Sequence, residues 1–188
     1  MRIIVHYGNG DNMRKKHIAQ KLYSLFTGEL FAVIMFAVLW VLYLLMFDWA
    51  AAYLASLSSV FIFVVLEFIL LQGSYYWFFK WKQVRRKDYS ALPARQLRWF
   101  SRFRKCNLAF LAIALLIQLD LMVSRSVERY WCLFLYLFAL VEYINYYHVR
   151  LSFMSISEIK EFIRQKGFRS SKLAKELKNR QREAALHR

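Results

Sequence analysis

The side chains best suited to chemistry in this chain are carboxyl groups that fall within long apolar runs. Glu67 lies inside the run from 57 to 79, and Glu142 lies inside the run from 130 to 149. An ionised carboxylate in hydrocarbon is costly, so such a group faces the protein interior, is protonated or is paired. Acids in this setting bind protons or cations in transporters, or they form hydrogen bonds that join helices.

Other polar side chains follow Glu142 at helical spacing. Asn145 and Tyr146 come three and four residues later, which places carboxylate, amide and phenol on one face of a helix. His148 extends this polar face toward the basic tail, where it would serve as a proton relay in a transporter. Because polar groups in hydrocarbon need hydrogen-bond partners, we expect this face to meet another helix or a water-filled cavity.

The segment around Glu67 is the expected partner of that face. Gln72 and Tyr76 follow Glu67 on the same run and supply an amide and a phenol. The predicted intramembrane binding residues are therefore Glu67, Gln72, Tyr76, Glu142, Asn145, Tyr146 and His148.

The remaining reactive residues do not form a recognisable catalytic or metal site. The four histidines and two cysteines do not stand at metal-ligand spacing, and no nucleophile motif or phosphate-binding glycine loop occurs. We therefore predict no catalytic residue, no metal and no cofactor.

Four apolar runs would position the polar residues. Crossing a bilayer takes roughly 20 helical residues, and hydrophobic residues make up 59% of this 188-residue chain. The predicted fold is an all-α integral membrane protein with four transmembrane helices arranged as two hairpins. The spans are predicted at about 30–47, 57–79, 106–123 and 130–149, within a transmembrane domain of residues 30–149.

The basic residues orient these spans. All of the 28 lysines and arginines except Arg125 and Arg129 lie before the first run, between the second and third, or after the fourth. Basic residues in short loops stay in the cytoplasm. We therefore expect a multi-pass protein of the cell (cytoplasmic) membrane with both termini in the cytoplasm, beside the anionic head groups of the inner leaflet.

Three cytoplasmic segments follow from this topology: residues 1–29, the basic loop 80–105 and the basic tail 150–188. In the tail, Ser155 and Glu158 form a capping box before a basic amphipathic helix. A second tail helix carrying Leu173 and Leu177 would lie on the membrane or dock on a protein partner, and the alternative is a solvated tail.

These features favour a non-catalytic subunit, regulator or assembly factor of a membrane complex, with a homo-oligomer or other membrane subunits as partners. The alternative is a small proton-coupled or cation transporter or channel component that uses Glu67 and Glu142. A membrane-embedded lipid-modifying enzyme has less support. No nucleic-acid motif accompanies the net charge of +16, so we expect no nucleic-acid partner.

Overall fold

The structure, a computed structural model, describes residues 8–88, 90–148, 173, 175–179 and 182, with side chains from residue 17 onward. This part of the chain is helical apart from short connections, which confirms the predicted all-α class. Its helices are α1 (Gly8–Met46), α2 (Asp48–Leu54), α3 (Leu57–Arg85), α4 (Ala94–Val123) and α5 (Arg129–Tyr147).

Three helices are long and apolar enough to cross a membrane, namely the His17–Met46 part of α1, α3 and α4. They contain the first three predicted spans, as expected for a membrane protein. The helix α5 differs because its second half carries Glu142, Asn145 and several tyrosines. The fourth span therefore stays a prediction.

The three long helices extend past their predicted spans at the basic end of each run. The helix α1 begins at Gly8, α3 continues to Arg85, and α4 begins at Ala94. Lysine, arginine and glutamine are good helix formers, so the end of an apolar run does not end a helix. The turn between α3 and α4 instead comes where Lys87 adopts a left-handed φ of 61° and Pro93 precedes the next helix.

The helix α3 is the centre of the bundle, and α1, α4 and α5 all pack against it. The helix α1 runs antiparallel to α3. Near one end, the rings of Trp40 and Phe63 stack with centroids 4.0 Å apart, and near the other end Tyr23 lies 5.2 Å from Trp81. The basic start of α1 therefore lies beside the basic end of α3.

The last two helices complete the bundle on other faces of α3. The helix α4 runs antiparallel to α3, since Phe68 lies beside Phe110 and Tyr75 lies beside Phe100, each pair with a centroid distance of 6.2 Å. The helix α5 runs parallel to α3, since the Ser59 hydroxyl lies 3.1 Å from the buried Cys132 sulfur and later positions of the two helices also meet. The basic ends of α1, α3 and α4 thus share one end of the molecule.

The short turn between α3 and α4 is held by Asp88. Its carboxylate accepts hydrogen bonds from the Ser90 backbone N–H at 2.9 Å and from the Gln83 amide at 3.1 Å. The Ser90 N–H holds the pKa of Asp88 below its ordinary value because it stabilises the ionised form.

The described part of the tail packs against the rest of the chain. Leu173 and Leu177 are each only 4% exposed and belong to the apolar core. Between them, Glu176 forms an ion pair of 2.5 Å with Lys80 and accepts a hydrogen bond from the Leu92 N–H. The sequence favoured the membrane surface or another protein as the contact of this segment, whereas these leucines contact their own chain. The amphipathic helix predicted after Ser155 lies outside the described residues.

Candidate functional site

The most complete polar site is a buried amide network between α3, α4 and α5. Gln72 donates to the side-chain oxygen of Asn107 at 3.1 Å, and Asn107 donates back to the Gln72 oxygen at 2.7 Å. The Tyr147 hydroxyl donates to the same Gln72 oxygen at 2.6 Å. Three helices are therefore joined through one side chain.

This network satisfies the polar groups that it buries. Gln72 is 5% exposed, Asn107 is fully buried and Tyr147 is 2% exposed. A reciprocal amide pair uses a donor and an acceptor of each partner, and the tyrosine uses the second lone pair of the Gln72 oxygen. The arrangement stabilises the contact between helices and leaves Gln72 with little capacity to hold a substrate.

The sequence identified Gln72 but not its partners. Asn107 was not among the predicted site residues. Tyr147 was overlooked in favour of Asn145 and Tyr146. A signal was present, since Asn107 lies inside the apolar run Cys106 to Val123 and a buried amide needs a partner.

The close approach of Tyr146 to α3 depends on Gly73. A Cβ atom at Gly73 would overlap the ring of Tyr146, so the ring lies directly against the backbone of α3. Helices in membranes use small residues in this way to approach closely. The Tyr146 hydroxyl consequently reaches Glu29 on α1 and forms a hydrogen bond with it.

Glu29 is the centre of a second polar group on the other side of α3. Its carboxylate accepts a hydrogen bond of 2.9 Å from the Trp77 indole N–H. The carboxyl group of Glu142 is close enough to act electrostatically on Glu29, and Glu142 itself accepts a hydrogen bond of 3.3 Å from Asn145. The structure thus brings Glu142, Asn145 and Tyr146 together, as their spacing predicted, but around an acid of α1.

Glu29 was missed because the first span was expected to begin at Leu30. That boundary left the first span without any polar residue, although Glu29 is the residue directly before it. The helix in fact extends well before Leu30, and Glu29 faces Trp77 of α3.

Glu67 lies apart from this group. Helical spacing places Glu67 on the α1-facing side of α3, four residues after Phe63, which stacks on Trp40. Both of its carboxyl oxygens are buried and have no hydrogen-bond partner in the part of the chain that the structure describes. The expected polar contact between Glu67 and Glu142 is therefore not a hydrogen bond within these residues.

Tyr76 and His148 take separate positions. The Tyr76 side chain is 3% exposed and packs edge-on against Phe100, and its hydroxyl has no partner within the described residues. His148 lies exposed at the end of α5 beside the ring of Tyr143, with centroids 5.3 Å apart. Neither residue joins the amide network or the Glu29 group through a described hydrogen bond.

No group of three or more histidine, cysteine or acidic side chains within the described residues could hold a metal ion. Comparison with protein-family models, curated proteins and solved structures finds no match for this chain.

Proposed function

We propose that the chain is a four-span protein of the cytoplasmic membrane with both termini in the cytoplasm. The helix α5 serves as the fourth span. Its 19 residues give a length of about 28 Å at 1.5 Å per residue, close to the hydrocarbon thickness. It follows α4 after a short turn, and Arg125 and Arg129 lie at that turn, away from the basic end.

Single cysteines test this topology. Ser90→Cys and Arg125→Cys place exposed thiols at opposite ends of the bundle, in a variant with Cys106→Ser. We expect a membrane-impermeant maleimide to label Arg125→Cys from outside intact cells and to label Ser90→Cys only after lysis. Labelling of Ser90→Cys from outside would contradict the orientation.

Within this topology, we propose that the protein is a non-catalytic subunit, regulator or assembly factor of a membrane complex. The observation that carries the proposal is the exposed face of α1. Five large apolar residues repeat at spacings of three and four along this face, with exposures of 63%, 52%, 43%, 53% and 77%: Phe31, Ile34, Val38, Val41 and Leu45. This is the spacing with which one helix packs along another.

The buried polar residues support the same function. Gln72, Asn107 and Tyr147 bond to one another, which is the use expected of groups that fix a bundle. The partner on α1 would be a membrane helix of another subunit or of a second copy, and the basic end would contact the inner leaflet.

Blocking the exposed face of α1 tests this proposal. We expect Ile34→Trp to remove the co-purifying membrane subunit when the protein is extracted from native membranes in a mild detergent. Leu116→Trp is the matched control, since Leu116 is 66% exposed on α4. A native protein that has the mass of a detergent-bound monomer, with no associated subunit, would contradict the proposal.

Transport is the second candidate, and the position of the acids favours it. Glu67 keeps both oxygens without a partner in the described chain, and Glu29 and Glu142 interact with each other at a separate position. Proton-coupled flux would then require carboxyl groups that change protonation. In proteoliposomes, Glu67→Gln and Glu142→Gln should abolish flux while Glu128→Gln, at the outer end, should not. Unchanged flux in both variants would remove this candidate.

A further inference from the structure

A groove of about 410 Å³ lies between α3 and α4, on the side of the bundle that carries the amide network. This volume falls within the range of roughly 300–1,000 Å³ that is typical of small-molecule sites. The groove is lined mainly by apolar and aromatic side chains, with two amides among them: Phe68, Leu71, Gln72, Tyr75, Gln96, Trp99, Phe100 and Phe103.

The groove runs toward the basic end of the molecule. Tyr75 and Phe100 lie across it with ring centroids 6.2 Å apart. Lys82 stands seven residues after Tyr75 on the same face of α3, and Arg95 stands four residues before the lining residue Trp99 on one face of the antiparallel α4. At 1.5 Å per residue, Lys82 lies about 10 Å beyond Tyr75 and Arg95 about 8 Å beyond Phe100 along the helices, so the two cations are nearly level.

A third cation lies beside the same groove. The Arg102 guanidinium is 5.8 Å from the centre of the Trp99 ring, which lines the groove. Lys82, Arg95 and Arg102 are all exposed. Lys82 and Arg95 therefore form a positively charged opening at one end of an aromatic groove, and Arg102 lies beside the groove about 10 Å from Arg95 along α4.

The two acids that the structure describes in the neighbouring turn and tail do not neutralise this opening. Asp88 accepts its hydrogen bonds from Ser90 and Gln83. Glu176 is paired with Lys80. The charge around the groove is consequently available to an anionic ligand.

Gln96 adds a polar feature inside the groove. Its side-chain oxygen is buried and has no hydrogen-bond partner within the described residues. A buried acceptor without a donor is costly, and a ligand hydroxyl would satisfy it. The lining therefore combines an apolar path, a cationic opening and one acceptor near that opening.

We propose that this groove binds one anionic glycerophospholipid whose head group carries hydroxyls, such as phosphatidylglycerol. An acyl chain lies along the aromatic lining, the phosphate lies between Lys82 and Arg95, and a head-group hydroxyl donates to Gln96. Basic pockets between membrane helices on the cytoplasmic side bind anionic head groups in this way. This site depends on the bundle and its charge, and it does not require a partner on α1.

Native mass spectrometry of the full chain in a neutral detergent tests the site. Dipalmitoyl phosphatidylglycerol and dipalmitoyl phosphatidylcholine are titrated separately, and the retained lipid is measured. We expect one phosphatidylglycerol to be retained in preference to phosphatidylcholine. Each basic residue near a head group contributes about 1 kcal/mol, so Lys82→Gln with Arg95→Gln should weaken phosphatidylglycerol binding about 30-fold.

The matched control removes two charges from the opposite end of the bundle. Arg125 and Arg129 lie at the turn between α4 and α5, away from the basic end. Arg125→Gln with Arg129→Gln should leave binding within about 3-fold of the unchanged protein. Equal weakening in both double variants would show attraction by net charge alone and would overturn the site.

A second comparison keeps the charge constant. Leu71 lines the groove and is 45% exposed, so Leu71→Trp fills the apolar path without disturbing the buried core. This variant should lose the retained phosphatidylglycerol although all three cations are present. Equal retention of the two lipids by the unchanged protein, or full retention by Leu71→Trp, would overturn the proposal.

Discussion

Gln72 and Glu67 lie on different sides of α3 and differ in whether their buried polar groups are paired. On the side of α4, the amide of Gln72 is bonded to Asn107 and Tyr147. On the side of α1, Glu67 keeps both oxygens buried without a partner in the described chain. These residues are five positions apart on one helix. Burial alone thus does not show whether a polar residue stabilises a bundle, because the neighbouring helix decides whether its groups are paired.

The contrast also separates structural from functional candidates. A satisfied network is expected to contribute stability and to tolerate little change. An unpaired carboxyl group lowers stability, so its presence at this position is easier to explain by a role in function. Stability measurements on equivalent substitutions therefore test the comparison directly, in mixed micelles of a neutral detergent and dodecyl sulfate.

Gly73→Val should have the largest effect on the free energy of unfolding because it disturbs contacts on both sides of α3. The new side chain would collide with the Tyr146 ring, which reaches past α3 to Glu29. We expect the free energy of unfolding to fall by about 3 kcal/mol, the upper range for an overpacked core. Gly28→Val is the control, since a Cβ at Gly28 meets no atom within 4 Å. Equal losses would show that the effect comes from helix propensity and not from the contact.

Gln72→Leu should be the next most damaging change. It removes the acceptor of Tyr147 and both bonds to Asn107, and we expect a loss of about 2 kcal/mol in the free energy of unfolding. The triple variant Gln72→Leu, Asn107→Leu and Tyr147→Phe leaves no member of the network unpaired, so it should recover much of that stability. A triple variant whose loss equals the sum of the single losses would contradict the network.

Glu67→Leu should change the free energy of unfolding in the opposite direction. The carboxyl group has no described hydrogen-bond partner, so its replacement should raise the free energy of unfolding by about 1 kcal/mol, as for other unpaired polar groups in membrane helices. The pair Gln72→Leu and Glu67→Leu is the sharpest form of the comparison, because the same residue is introduced on two sides of one helix. Destabilisation by Glu67→Leu would show that Glu67 is paired after all.

Glu29→Gln should have the smallest effect on stability. The glutamine keeps a side-chain oxygen that accepts the Trp77 N–H, so the free energy of unfolding should change by less than about 0.5 kcal/mol. Glu29→Leu removes that acceptor and should lower the free energy of unfolding by a larger amount. If both variants are equally stable, the bond between Glu29 and Trp77 contributes nothing measurable.

The stability of the turn at Asp88 should depend on pH. The pKa of Asp88 is lowered in the folded protein. Its contribution to the stability of the turn is therefore present above the pKa that Asp88 has in the unfolded chain, and it is lost as the pH falls through the pKa in the folded protein. Local opening of the turn, measured by hydrogen exchange at the backbone N–H of Ser90, should therefore increase only under acidic conditions, below about pH 4. Asp88→Asn should remove this pH dependence.

Much of the fold could be predicted because it depends on composition along the chain. Apolar runs of sufficient length predict membrane helices whatever their neighbours are. The polar residues Glu142, Asn145 and Tyr146 were grouped correctly because they lie on one helix face, where distance along the chain fixes distance in space. The partners of Gln72 were not predictable in this way, since Asn107 and Tyr147 lie on other helices.

The sequence by itself determined the all-helical class and three of the four predicted membrane spans as helices long and apolar enough to cross a membrane, and it determined that nearly all basic residues flank apolar runs. Tertiary structure alone decided which polar groups meet. It paired Gln72 with Asn107 and Tyr147, brought Glu29 to Trp77, and buried Leu173 and Leu177 against their own chain. The physical reason is that hydrophobicity places a residue in or out of the membrane, whereas the rotation and register of packed helices place one side chain against another.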